Sequence, residues 1–147
     1  MNNAERAVEL FGQRFMCSQA VFAAFAEEFG ITEKQAFQIG ACFGGGMCKG
    51  EVCGACTGAL MALGAKYGHC DAADMDSRAN AAAKATQFLD EFKKRKGSYI
   101  CRDLLGCDIS TAEGKECARE KGLFTSLCPE MVRAAAEIVA EMLAQDG

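Results

Sequence analysis

Ten cysteines are the chemistry-bearing residues of this 147-residue chain, and three of them, Cys48, Cys53 and Cys56, crowd into the run C-K-G-E-V-C-G-A-C-T-G. Thiolates ligate metals and iron–sulfur clusters and attack disulfides, so this run is where metal or redox chemistry would sit. Cys53 and Cys56 open a Gly/Ala-rich apolar helix in which Gly54, Gly58 and Ala62 recur every fourth position. A face built that way carries almost no side chain, and another backbone or a bulky prosthetic group can come close to it. The unpaired N–H groups and the dipole of a helix start favour thiolate over thiol. Cys17, Cys101 and Cys128 also stand at or just before predicted helix starts. With Cys53 they make four thiols in equivalent positions, each expected to have its pKa lowered from about 8.5.

The other cysteines carry weaker signals. Cys48, Cys53 and Cys56 have the C-x4-C-x2-C spacing of plant-type ferredoxins, but that run belongs to a β-rich domain and this chain reads as helical. Cys42, Cys48 and Cys56 lie beside the glycine run C-F-G-G-G-M-C-K-G, where they could complete a larger cluster, a second site or a resolving disulfide. Three consecutive glycines, Gly44 to Gly46, favour neither helix nor strand and make a turn, or a nest of N–H groups facing an anion or sulfide. Cys70 adds a further thiol, while Cys107 and Cys117 read most simply as core packing. His69 is the only histidine and fits a helix C-cap better than a ligand, which leaves no Ser/His/Asp constellation. No G-x-x-x-x-G-K-[ST] pattern accompanies the triple glycine.

The elements that must position these thiols are helices. A first helix runs from after Asn3 to about Arg14, and a second from Ala20 to Phe29 with Ser18 as its N-cap and Gly30 closing it. Thr32 and Gln35 have capping-box form and start a third, which fades at Gly40. The cysteine-bearing helix ends near Gly68, and a long one follows from Asp71 to about Lys96, ending in a solvated basic run. Short helices are expected at Cys101–Gly106 and from Ser110 to about Lys121, and a last one to Gln145 with Cys128 as N-cap before Pro129. Phe22, Phe25, Phe29, Phe88 and Phe92 follow helical spacing and belong to the core. The whole, residues 1–147, reads as one all-α domain: a compact bundle of about six to eight helices with a Gly/Cys-rich loop.

A chain of this length buries roughly 70% of its unfolded surface and needs no disulfides for a core. Its net charge of −4 offers no basic face for nucleic acid. The opening M-N-N-A-E-R-A-V-E-L has early charges and no apolar run, so no secretory leader is expected. Nor is a membrane span, because the longest weakly charged stretch is short and rich in glycine. A cytoplasmic location follows as the expectation, and in a reducing compartment abundant cysteine means metal binding or redox chemistry.

Cys17 in C-S-Q-A, the run C-G-A-C-T-G from Cys53, Cys101 in C-R-D-L-L-G and Cys128 in C-P-E-M-V together resemble a family of small bacterial redox-active proteins. That family is named for its C / C-G-A-x-x-G / C / C pattern. The resemblance covers nearly the whole chain and implies that Cys17, Cys53, Cys101 and Cys128 are the redox-active set, in a protein often encoded beside transporters. The residues leave three chemistries open. Convergent thiolates could hold an iron–sulfur cluster, with Gly54 and Gly58 allowing close approach, and transfer electrons to a redox partner. The same cysteines could work without metal by thiol–disulfide exchange. A structural zinc in a module that binds a partner, such as a membrane transporter, is the third. The small-residue face of the fourth helix could also pack against a second subunit.

Overall fold

The computed structural model describes residues 1–146. Among these, nine helices form: α1 (Asn3–Gly12), α2 (Cys17–Ala26), α3 (Glu33–Gly40), α4 (Gly54–Tyr67), α5 (Met75–Lys96), α6 (Cys101–Leu105), α7 (Ala112–Glu120), α8 (Leu123–Ser126) and α9 (Cys128–Asp146). The fold is all-α, and no strand is present among the described residues. The sequence signals six to eight helices; α8, a single turn between Gly122 and Cys128, carries no signal of its own.

The bundle is wound around α2, which α1, α3, α4 and α9 all touch. Ser18, Ala20, Val21, Phe22, Ala23, Phe25 and Ala26 of α2 are all buried, as a helix that is apolar on nearly every side must be. Small residues on α4 (Gly54, Ala55, Gly58, Ala59, Ala62) let it lie close against α2, and Val132, Ala135, Ala136 and Val139 of α9 are also fully buried. Phe88 and Phe92 of α5 are sealed into the same core, six ångströms apart ring to ring. A second, smaller apolar cluster gathers Cys101, Leu105, Cys107, Ile109 and Ala118 with Phe124, Leu127 and Cys128 packed on it. It makes α6 to α8 a cap at one end of the bundle.

Several helix starts differ from the sequence reading, each for a reason of packing. Thr32 and Gln35 do form the reciprocal capping box of α3. By contrast, α2 begins at Cys17 with Met16 as N-cap, and Gln19 accepts the Met16 N–H at 2.9 Å. Ser18 is therefore no cap. It lies wholly buried in the first turn and donates its hydroxyl to the Gly40 carbonyl at 2.7 Å. Glycines on both neighbours make room for it: a Cβ on Gly40 would stand 3.2 Å from the Gln19 Cα, and one on Gly58 only 2.5 Å from the Ser18 carbonyl oxygen. Helix α5 starts at Met75 rather than Asp71, because Asp74 caps the Ser77 N–H at 3.0 Å while Asp71 closes the preceding turn. Thr111, not Ser110, caps α7. Cys128 is the first residue of α9 rather than its cap, with Pro129 next, where a missing N–H costs nothing.

The close approach of α2 and α4 is testable on one helix. Gly58→Ala forces the two backbones apart and is expected to cost about 1–3 kcal/mol in chemical denaturation. Gly64→Ala, six residues along the same helix with nothing within 4 Å of the added methyl, is expected to stabilise by about 0.5–1 kcal/mol. Equal effects at the two positions would contradict the packing described.

Candidate four-cysteine site

Backbone pairing sets two of the cysteines side by side. Val52 and Ile100 form an isolated antiparallel bridge. Around it the Cys53 N–H donates to the Tyr99 carbonyl at 2.7 Å and the Cys101 N–H to the Glu51 carbonyl at 2.6 Å. Arg102 ties the junction from outside, its guanidinium 2.9 Å from Glu51 and donating to the Gly50 carbonyl at 3.2 Å. Cys17 arrives from the start of α2, with its sulfur at 2.3 Å from where a Cβ on Gly54 would be. Only glycine at position 54 lets that sulfur in. Cys128 comes from the start of α9.

All four line one cavity of about 290 Å³, together with Cys48, Gly44, Gly45 and Gly54. Phe11, Met16, Leu104, Leu105, Ile109, Phe124 and Met131 make its walls largely apolar, and Lys115 and Arg119 are the charged residues on its lining. The glycine loop forms the turn expected of it, with φ of +66°, +65°, +59° and +60° at Gly45, Gly46, Met47 and Cys48. Gly46 is obligatory there, since a Cβ would fall 2.3 Å from the Glu51 nitrogen. Met47 and Cys48 hold a left-handed backbone that side chains rarely adopt.

The electrostatics depart from the sequence expectation that every thiol is acidified. Cys53 alone is lowered: it accepts a hydrogen bond from the Cys56 thiol, and the Ala55 and Cys56 N–H groups add to this against the cost of burial. Cys17 is pushed up to about 11, by loss of water around the sulfur and then by the charge of Cys53, against N–H groups of Gly45, Ser18 and its own backbone. Burial and the neighbouring thiolates push Cys101 and Cys128 each up to about 12. Cys56 is raised further, first by burial and then by the hydrogen bond it gives to Cys53. Four thiols around a small apolar space cannot all be charged unless positive charge joins them.

The other sequence candidates fall elsewhere. Cys42 is exposed and lies off the lining, Cys56 is buried beside Cys53, and Gly58 faces Ser18 instead of the cavity. Cys70 and His69 are exposed after α4 and line no part of it. Met16, Ile109, Lys115, Arg119 and Phe124 shape the cavity although nothing in their spacing marks them, because they come from a loop and the cap. Among the described residues, no three His, Cys, Asp or Glu side chains sit close enough together to hold one metal ion. The thiols surround a space rather than a point.

A family model described as "Putative redox-active protein (C_GCAxxG_C_C)" matches residues 15–142. The chain belongs to this family. No curated protein and no solved structure matches it. The matched span contains Cys17, Cys53, Cys101 and Cys128 and the whole of α2 to α8, and membership supports a redox role for the chain. No helix among the described residues is long and apolar enough to cross a membrane.

Because Cys53 alone is lowered, it is expected to be alkylated by iodoacetamide at lower pH than Cys17, Cys101 or Cys128, read peptide by peptide by mass spectrometry. Cys56→Ala removes the S–H donor, so the Cys53 midpoint should move to higher pH, while Cys56→Ser keeps a donor and should hold it down. An unmoved midpoint in Cys56→Ala would refute the hydrogen bond as the cause.

Proposed function

We propose that Cys17, Cys53, Cys101 and Cys128 hold an iron–sulfur cluster and that the protein passes electrons through it to a redox partner. One observation carries this reading: four thiols from four separate helix starts open onto a single cavity of about 290 Å³. A cavity of that volume between the thiols has room for a multi-metal group, whereas a lone zinc draws four thiolates to about 2.3 Å from one point. A bound cluster supplies electron-transfer chemistry at a potential set by net charge, hydrogen bonds to sulfur and solvent access.

The chain's residues have definite tasks in this reading. Cys53, kept ionised by Cys56 and two backbone N–H groups, is the first ligand available. Cys17, Cys101 and Cys128 hold their protons until a cation arrives, so loading releases protons and is favoured by rising pH. The Gly45 N–H on Cys17 adds a hydrogen bond to sulfur, and Phe11, Leu104, Ile109, Phe124 and Met131 keep water away. Lys115, on the lining, offsets the negative charge of a loaded site, while Arg119 beside it is paired with Glu116 at 2.7 Å.

A second reading, thiol–disulfide exchange without metal, rests on Cys53 and Cys56. Their C-x-x-C spacing at the start of α4 puts a lowered thiol beside a second thiol that hydrogen-bonds to it, an arrangement suited to attack by the Cys53 thiolate and resolution by Cys56.

One preparation separates the two. Protein purified without oxygen, or reconstituted with iron and sulfide, is expected to be brown, with iron and acid-labile sulfide that Cys53→Ser and Cys101→Ser each abolish. Colourless protein that takes up neither, but forms a dithiothreitol-reversible Cys53–Cys56 disulfide, overturns the cluster reading in favour of exchange. Cys101→Ser should leave that disulfide unaffected.

A further inference from the structure

Outside the four-cysteine cavity, two more thiols meet. Cys107 and Cys117 are ten residues apart in sequence and their sulfurs are 3.0 Å apart, with Cys107 donating its S–H. That is within about an ångström of a covalent S–S bond of about 2.05 Å. The contact does not come from loose packing. The intervening turn is fixed by Asp108, whose carboxylate accepts from the Ser110 N–H at 3.0 Å, and by Thr111, whose hydroxyl bonds the Asp108 carbonyl at 3.0 Å. Gly114 is what lets α7 close on this turn: a Cβ there would lie 1.7 Å from the Asp108 carbonyl oxygen. Turn and helix together deliver Cys117 onto Cys107. Cys107 is buried and Cys117 half-buried, so Cys117 is the more accessible of the two residues.

We propose that Cys107 and Cys117 form a second, reversible dithiol/disulfide site, distinct from the four-cysteine cavity, whose substrates are low-molecular-weight disulfides. The Cys117 thiolate attacks one sulfur of the disulfide RSSR; that S–S bond breaks and RS⁻ leaves. Cys107 then gives its proton to solvent, and its thiolate attacks the Cys117 sulfur in the mixed disulfide, expelling the second RS⁻. Two protein thiols lose two electrons and RSSR gains them, yielding two RSH. The order follows from burial: Cys117 is the less buried of the two residues, and Cys107, raised chiefly by the hydrogen bond it gives, keeps its proton until the mixed disulfide has formed. The closed ring spans Ile109 and Lys115, both on the cavity lining, so oxidation braces the cap wall of the first site.

The test uses the full chain, reduced, freed of reductant and incubated with glutathione disulfide, then quenched in acid, alkylated and digested with trypsin. Cleavage after Lys115 places the two cysteines in separate peptides, so a Cys107–Cys117 bond is read as a linked pair that dithiothreitol separates. The pair should vanish from the alkylated fraction as the ratio of glutathione disulfide to glutathione rises, and return as it falls. Cys107→Ser should trap glutathione on Cys117, and Cys117→Ser should leave Cys107 unmodified. Both cysteines staying alkylatable throughout, or linking to other cysteines instead, overturns the proposal. Glutathione trapped on Cys107 in Cys117→Ser overturns the order of attack. The four-cysteine reading is untouched by any of these outcomes, since Cys53→Ser protein should give the same linked pair.

Discussion

The contact on which the molecule depends is that of α2 with α4, where Gly54 and Gly58 put no α4 side chain between the two helices. Gly54 stands against the Cys17 sulfur and Gly58 against the Ser18 backbone, and a methyl at either would lie within 2.5 Å of its neighbour. The approach fixes the position of Cys17 relative to Cys53 and therefore the floor of the cavity. It also explains why Ser18 is buried: its hydroxyl satisfies the Gly40 carbonyl at the point where α3 reaches the same junction. A packed helix pair can be bistable but not freely deformable, so thiols placed in this way are held rather than gathered on demand.

The second consequence is electrostatic. Bringing thiols together in an apolar cavity sets each against its neighbours, and burial reinforces the effect. Cys53 escapes because hydrogen bonding, first from the Cys56 thiol and then from the Ala55 and Cys56 N–H groups, outweighs the cost of its burial. Cys17, Cys101 and Cys128 do not escape, and their raised values make the site one that gains most from receiving positive charge. The helix-start field acts on these thiols, but over one turn it is smaller than the cost of leaving water.

The cap gives the site its outer wall and carries chemistry of its own. Cys107 and Cys117 look in sequence like two unrelated apolar residues, one after a short helix and one inside another. Gly114 and the Asp108 turn turn them into neighbours. Lys115 and Arg119 of the same helix, both exposed, also stand on the cavity lining.

Much of this was legible in the sequence. Helical periodicity, the Thr32–Gln35 capping box, Gly30 as the stop after the second helix, and the glycine loop are local features, dictated by residues within one or two turns of each other. The placing of Cys17, Cys53, Cys101 and Cys128 at or next to helix starts is local too, and so is the small-residue face of α4. What the tertiary structure decided is everything that depends on distance across the chain. It decided that Gly58 serves helix packing, that Ser18 is a buried donor and not a cap, and that only Cys53 is acidified. It also decided that Cys107 and Cys117 touch. The reason is physical: propensity and capping act over a few residues, whereas burial, thiol–thiol repulsion and S–S contact depend on which distant segments the packed core brings together.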